Sequence, residues 1–310
     1  MTGNLPTLLT KQNVHEFFEK FDNIISDCDG VLWRDMEAIP GSASMIHKFA
    51  DMGKNIFYVT NDSNSTRDHI HQKAEELGFP GQKESFLSPT YALAEYLKHR
   101  QFKRKVYVLG KPDITHELTN NQIEHCEIKE PNDDDTTCIK NLMSSINLDP
   151  SVGAVVVGFD PEINMRKLAT AASYLWSDDS CLFLCMAVDE NNAEMNQPII
   201  LPGVGAISKC VETACGRAPV LIGKPSRTMF DILQANHGLD PSRTLMIGDR
   251  CNSDVAFGKN CGLTTLVVLT GHTKMSLLEH YATEQDPAHK HFQPDYYVNS
   301  LKDIHELLQL

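Results

Sequence analysis

The chain has 310 residues, enough to bury a large core and to divide into two domains. Its formal charge of −13, from 28 Lys and Arg against 41 Asp and Glu, argues against nucleic acid, whose binding needs a basic surface. Residues 1–20 are polar and mixed, no run approaches the ~20 apolar residues that span a bilayer, and nine scattered cysteines without Cys-x-x-Cys spacing read as reduced thiols, so a soluble cytoplasmic protein with no membrane partner is expected.

The first strand-like stretch is Phe21-Asp-Asn-Ile-Ile-Ser-Asp-Cys-Asp-Gly-Val-Leu-Trp33, an apolar run that stops at Asp27 and Asp29 with Gly30 directly behind. In a strand, residues two apart share a face, so the two carboxylates are expected within reach of one another and Cys28 is expected to turn away into packing. Two close carboxylates need a split of their pKa values or a divalent cation between them. The competing reading is a strand that ends in a solvated turn, since Asp and Gly are common turn residues.

Pro40-Gly41 then opens a helical segment to about Met52, and Asn55-Ile-Phe-Tyr-Val-Thr60 is a second strand stopping at Asn61-Asp-Ser-Asn-Ser65. Ser65 to Leu77 and Tyr91 to His99 read as amphipathic helices. From Lys105-Val-Tyr-Val-Leu-Gly110 to about Arg217 a further unit carries the apolar run Ala154 to Gly158, a helix from Met165 to Trp176, and Leu182 to Ala187. Its Asp133-Asp-Asp135 run reads as a solvated loop. By pattern this unit is either more of the same sheet or an inserted domain. The chain then returns with Pro219-Val-Leu-Ile-Gly223 ahead of Lys224-Pro-Ser226, a helix from Thr228 to Asn236, and Arg243-Thr-Leu-Met-Ile-Gly248, which ends at Asp249 with Asp254 following in a helix to Gly262. Strands alternating with helices predict an α/β fold with a parallel sheet, where ligands bind outside the carboxyl ends of the strands.

The residue types at those ends set the chemistry. Asp27, Asp29, Asp249 and Asp254 are hard oxygen ligands suited to Mg²⁺, while Thr60, Asn61 and Lys224 are donors for phosphate oxygens. Acidic metal ligands facing phosphate donors point to phosphoryl transfer, in which a cation offsets the repulsion between an anionic nucleophile and an anionic phosphate. His69, His71, His289 and His291 read as surface residues, and Met229 and Met246 as core.

Asp27-Cys-Asp-Gly-Val-Leu-Trp, Val59-Thr-Asn, Gly223-Lys-Pro-Ser and Gly248-Asp-Arg with Asp254 resemble the four motifs of the haloacid dehalogenase superfamily, and within it the 4-nitrophenylphosphatase, phosphoglycolate phosphatase and pyridoxal phosphatase group. Val156-Val-Gly-Phe-Asp160, Pro202-Gly-Val-Gly205 and Val211-Glu-Thr-Ala-Cys-Gly-Arg217 extend the likeness over almost the whole chain. The resemblance implies a Rossmann-like core formed by 1–104 and 218–310, carrying a large inserted α/β cap at 105–217. It implies a Mg²⁺-dependent phosphomonoesterase acting on small phosphorylated substrates. Asp27 would be the nucleophile and Asp29 the general acid and base. Thr60 and Asn61 would hold the phosphoryl group, Lys224 would neutralise Asp27 and the phosphate, and Asp249 and Asp254 would hold Mg²⁺ with Asp27 and the Asp29 carbonyl. It also implies a homodimer through the cap.

Two positions depart from that pattern. Asp62 stands where the group has a second asparagine in the substrate site, and an anion ~5 Å from a phosphate costs roughly 3 kcal/mol at an effective dielectric of ~20. Three arrangements escape this cost: a protonated Asp62, an outward Asp62 capping the helix that begins near Ser65, or a pair with Arg67. Met186-Ala-Val-Asp189 and Glu190-Asn-Asn192 stand where the group has its substrate-selecting cap loop. These departures motivate the alternative of a catalytically weakened phosphate-binding or scaffolding protein.

Overall fold

Runs such as Asn23-Ile-Ile-Ser26 and Thr244-Leu-Met-Ile-Gly248 have no polar face, which suits strands covered on both sides. Our computed structural model of the chain describes residues 5–126, 139–193, 199–283 and 287–309; the Asp133-Asp-Asp135 run lies outside them. The described chain divides into two compact units, one of Met1–Thr60, Arg67–Ser88 and Lys224–Leu310, the other of Asn61–Thr66 and Pro89–Gly223. The helix Pro89–His99 is thus in the second unit, ahead of the boundary expected at 105.

The first unit holds a seven-stranded sheet in the order Thr7–Leu8, Tyr296–Val298, Thr264–Val268, Thr244–Gly248, Asn23–Ser26, Asn55–Val59, Phe86–Leu87. Every neighbouring pair is parallel, as the α/β reading predicts. Thr244–Gly248 is the middle strand with Asn23–Ser26 beside it; from Asn23–Ser26 the chain runs outward to one edge, and from Thr244–Gly248 it runs outward towards the other. The strand order therefore reverses between Asn23–Ser26 and Thr244–Gly248, and that reversal opens a crevice at their carboxyl ends. A core of Phe17, Phe18, Phe21, Ile24, Trp33, Met45, Ile46 and Phe49 packs beneath the sheet and holds those ends in place.

The second unit has its own parallel sheet, ordered Val220–Leu221, Leu182–Cys185, Val152–Val157, Lys105–Leu109. The helices Met165–Ser177 and Val204–Cys215 belong to it. Asn164 caps the first of these, its side chain accepting from Lys167 N at 3.0 Å. Among the described residues no helix is long and apolar enough to cross a membrane.

Candidate active site

Asp27 and Asp249 follow the two strands that meet at the reversal. The register pairs Ser26 with Ile247, and Asp27 N donates to Ile247 O at 2.8 Å, so the two carboxylates leave neighbouring strands at almost the same level. Asp254 reaches them from a π-helical turn, Cys251–Val255, that precedes the helix Ala256–Cys261. Its Oδ2 accepts from the backbone N–H groups of Asp249 at 3.1 Å and Arg250 at 2.9 Å, which folds the carboxylate back onto the strand end. Gly248 permits this, because a Cβ there would lie 2.2 Å from that of Asp254. Oxygens of Asp27, Asp249 and Asp254 all lie within 4.8 Å of one another, and all three residues are buried.

A buried cation stands against these carboxylates. Lys224, 1 % exposed, donates from Nζ to Asp27 Oδ1 at 2.6 Å, Asp254 Oδ1 at 2.7 Å and Val59 O at 2.8 Å. An ammonium has three protons, and these three acceptors take them, so the side chain is locked in one direction. Burial alone would depress the lysine, but the charges of Asp254 and Asp27 outweigh it and raise its pKa. The strand before it, Val220–Leu221, belongs to the second unit's sheet, so the expectation that Lys224 ends a strand of the main sheet is corrected. Gly223 N still bonds to Met186 O in that unit, and the chain enters the first unit at the lysine itself.

Three carboxylates and one ammonium leave excess negative charge in a buried place. Burial, and next the charge of Asp254, hold the Asp27 carboxyl well above its ordinary range. The same two causes push Asp249 up to about 6. Asp249 Oδ2 accepts from His272 N, while its Oδ1 is buried without a hydrogen-bond partner. An orphaned, buried carboxylate oxygen on one of three clustered acidic residues fits a divalent cation.

Asp29 is not among these carboxylates. The strand ends at Ser26, so the two-residue period no longer applies at Asp29, whose side chain is 55 % exposed and lies 3.8 Å from Lys73 Nζ. The expectation that strand alternation sets Asp27 and Asp29 on one face is corrected on that ground, Asp27 being buried and Asp29 half-exposed. Cys28 does turn inward: it is fully buried in the apolar core, and burial pushes its thiol well up. Thr60 is buried at the end of Asn55–Val59, next to the Val59 carbonyl that Lys224 uses. Asn61 and Asp62 fall in the second unit. The helix expected from Ser65 starts at Arg67, and Asp62 Oδ1 accepts from Asn64 N at 2.8 Å in a local turn.

The sequence reading passed over Gly271, His272 and Thr273. They follow the strand Thr264–Val268, and two of their backbone N–H groups hold Asp249, His272 N at its Oδ2 and Thr273 N at its carbonyl. A Cβ at Gly271 would lie 1.9 Å from Asp249 Oδ2. The available signal was one more apolar strand stopping at a Thr-Gly pair.

This geometry has known counterparts. The sequence matches the family described as haloacid dehalogenase-like hydrolase over residues 24–124, and a second description of the same kind, HAD-hydrolase-like, over 221–304. It is 35% identical over 290 residues to the glycerol-3-phosphate phosphatase of Gallus gallus, covering 91% of this chain and 90% of that protein. It is 34% identical over 308 residues to phosphoglycolate phosphatase 2 of Arabidopsis thaliana, covering 98% and 99%. Among solved structures it resembles the p-nitrophenyl phosphatase from Archaeoglobus fulgidus, with a TM-score of 0.76, 25% identity, and coverage of 94% of this chain and 100% of that one. The ordered acidic cluster, the lysine and these matches along the whole length have one explanation: the chain belongs to the haloacid dehalogenase-like hydrolases, in a branch whose curated relatives are phosphatases.

Proposed function

We propose that the protein is a Mg²⁺-dependent phosphomonoesterase that hydrolyses small phosphorylated metabolites through an aspartyl-phosphate on Asp27. The observation that carries this reading is the gathering of Asp27, Asp249 and Asp254 within 4.8 Å, with Lys224 bonded to the first and last of them. Asp27, Asp249 and Asp254 would hold the metal, which when bound supplies the positive charge that keeps Asp27 ionised and offsets the charge of the phosphate. An Asp27 oxygen attacks phosphorus as the ester P–O bond breaks, and the Asp29 carboxyl gives its proton to the departing oxygen. A water then gives a proton to Asp29 while its oxygen bonds phosphorus, and the bond from Asp27 to phosphorus breaks. Lys224 spends its protons on protein acceptors, so it serves the phosphate as a fixed positive charge rather than as a hydrogen-bond donor. Thr60 and Asn61 hold the phosphate in this reading, and the unit containing Pro89–Gly223 acts as the cap.

The substrate class is supported by the names of the relatives, which makes glycerol-3-phosphate and phosphoglycolate the first esters to assay. A homodimer through the second unit belongs to the same reading, supported by the exposed Ile199, Ile200 and Leu201 and by the edge strand with Val220 exposed. The test is turnover of 4-nitrophenyl phosphate and a panel of small phosphate esters, with and without Mg²⁺, by the wild-type protein and by Asp27→Asn. Mg²⁺-dependent release of phosphate that Asp27→Asn abolishes is expected. Binding of phosphate without turnover of any ester would replace this reading with that of a phosphate-binding protein.

A further inference from the structure

Two segments distant in sequence are tied together beside Asp249, and one residue makes both ties. Thr270 follows the strand Thr264–Val268, at the start of the loop whose Gly271 and His272 meet the Asp249 carboxylate. Its hydroxyl donates to the Gly30 carbonyl at 2.6 Å. Its own carbonyl accepts from Arg34 Nη2, on the short hairpin of Trp33–Arg34 and Glu37–Ala38. Gly30 and Arg34 both lie in the stretch that begins at Asp27, so Thr270 joins the turn after Asp27 to the loop that holds Asp249.

These ties bear on one carboxylate. Gly30 has φ +84°, and a Cβ there would come within 2.7 Å of Asp249 Oδ2 and 3.2 Å of the Gly271 Cα. Gly30 and Gly271 therefore close on Oδ2 from two segments, and the His272 N–H bonds the same oxygen. Oδ1 is left as the buried oxygen without a hydrogen-bond partner. The last torsion of an aspartate is broad and soft, so the walls around the carboxylate decide which oxygen it presents. Here the walls come from two parts of the chain, and Thr270 fixes one against the other.

We infer that Thr270 is a positioning residue for the metal site: by holding Gly30 against the Gly271 loop, it keeps Asp249 turned with Oδ1 available to a divalent cation. This rests on the reading of Asp249 as a metal ligand. A ligand whose surroundings no longer orient it holds its ion less tightly, and losing such a supporting contact typically costs about 10–100-fold in metal affinity.

The experiment measures Mg²⁺ affinity by calorimetric titration without substrate, beside denaturant melts and turnover of 4-nitrophenyl phosphate over a range of Mg²⁺ concentrations. The proteins are wild type, Thr270→Val, Thr270→Ser, Arg34→Met, Asp249→Asn and Thr244→Val. The last is the control for lost stability, because it removes a hydroxyl that donates to Asp240 O at 2.7 Å at the other end of the strand Thr244–Gly248. Thr270→Val is expected to weaken Mg²⁺ binding about tenfold, while kcat at saturating Mg²⁺ and KM for the ester change less than about threefold. Thr270→Ser keeps the donor and is expected to bind Mg²⁺ as wild type does, and Thr244→Val to lose stability without losing Mg²⁺ affinity. Unchanged Mg²⁺ affinity in Thr270→Val, with Asp249→Asn weakened, overturns the inference; so does a loss in Thr270→Ser or in Thr244→Val as large as that in Thr270→Val. If Thr270→Val does not fold, Arg34→Met, which alters an exposed side chain, takes its place with the same two outcomes. If Asp249→Asn itself leaves Mg²⁺ affinity unchanged, the reading of Asp249 as a metal ligand falls, and this inference falls with it.

Discussion

Gly271 leaves room for one oxygen of Asp249: a Cβ there would stand 1.9 Å from Oδ2, and one on Gly30 would stand 2.7 Å from the same atom. The Asp249 carboxylate is therefore set by the absence of two side chains as much as by the N–H of His272. Gly271→Ala is expected to push the carboxylate out of place, weakening Mg²⁺ binding more than tenfold and costing about 1–3 kcal/mol of stability from overpacking. Calorimetric titration with Mg²⁺ and a denaturant melt check both parts. Unchanged Mg²⁺ affinity would show that Asp249 does not bind the metal through this carboxylate.

Lys224 is the cation bonded directly to Asp27 and Asp254. Removing one partner of a buried ion pair leaves the other uncompensated, typically at about 3–5 kcal/mol. Lys224→Met is expected to lose that much stability without metal, to recover part of it with Mg²⁺, and to lose hydrolysis in both conditions. Denaturant melts with and without Mg²⁺, beside a turnover assay, measure this. Full activity in Lys224→Met would show that its charge is not needed beside the phosphate.

Burial and the neighbouring Asp254 raise Asp249 from an ordinary 3.8 to about 6. The folded state then binds this proton more tightly than the unfolded state, so the metal-free protein carries a penalty above about pH 6 that is relieved as pH falls from there towards 3.8. A divalent cation competes with the same proton, so its affinity falls over the same window. The gain in melting temperature on adding Mg²⁺ should be large at about pH 7.5 and small at about pH 5, as read by scanning calorimetry. A gain independent of pH would remove Asp249 from the metal ligands.

Asp62 accepts from Asn64 N, and an asparagine side chain has an oxygen that can do the same. Asp62→Asn is therefore expected to keep its melting temperature and to change kcat/KM for small phosphates less than about twofold, while Asp62→Ala loses about 1 kcal/mol with the turn. A rise in kcat/KM of about a hundredfold for Asp62→Asn at neutral pH would instead place the carboxylate against the phosphate.

Much of this was legible in the chain because it is local. Alternating apolar runs and helical segments are enough to predict parallel α/β architecture, and the stops at Asp27 and Asp249 mark strand ends because a buried strand does not readily continue through a charge. Those ends become one site through the reversal in strand order, which sets Asp27 and Asp249 on neighbouring strands although more than two hundred residues separate them. What the sequence did not determine depends on where the chain goes after a strand stops. Past Ser26 the two-residue period no longer sets the side chain, and Asp29, half-exposed, lies 3.8 Å from Lys73 on the helix Arg67–Glu76. Lys224 follows a strand of one sheet and bonds into the unit of the other, and Gly271 acts by the space it leaves beside Asp249. Periodicity describes regular backbone, and each of these residues lies just beyond its end, where only packing against other parts of the chain sets the direction of a side chain.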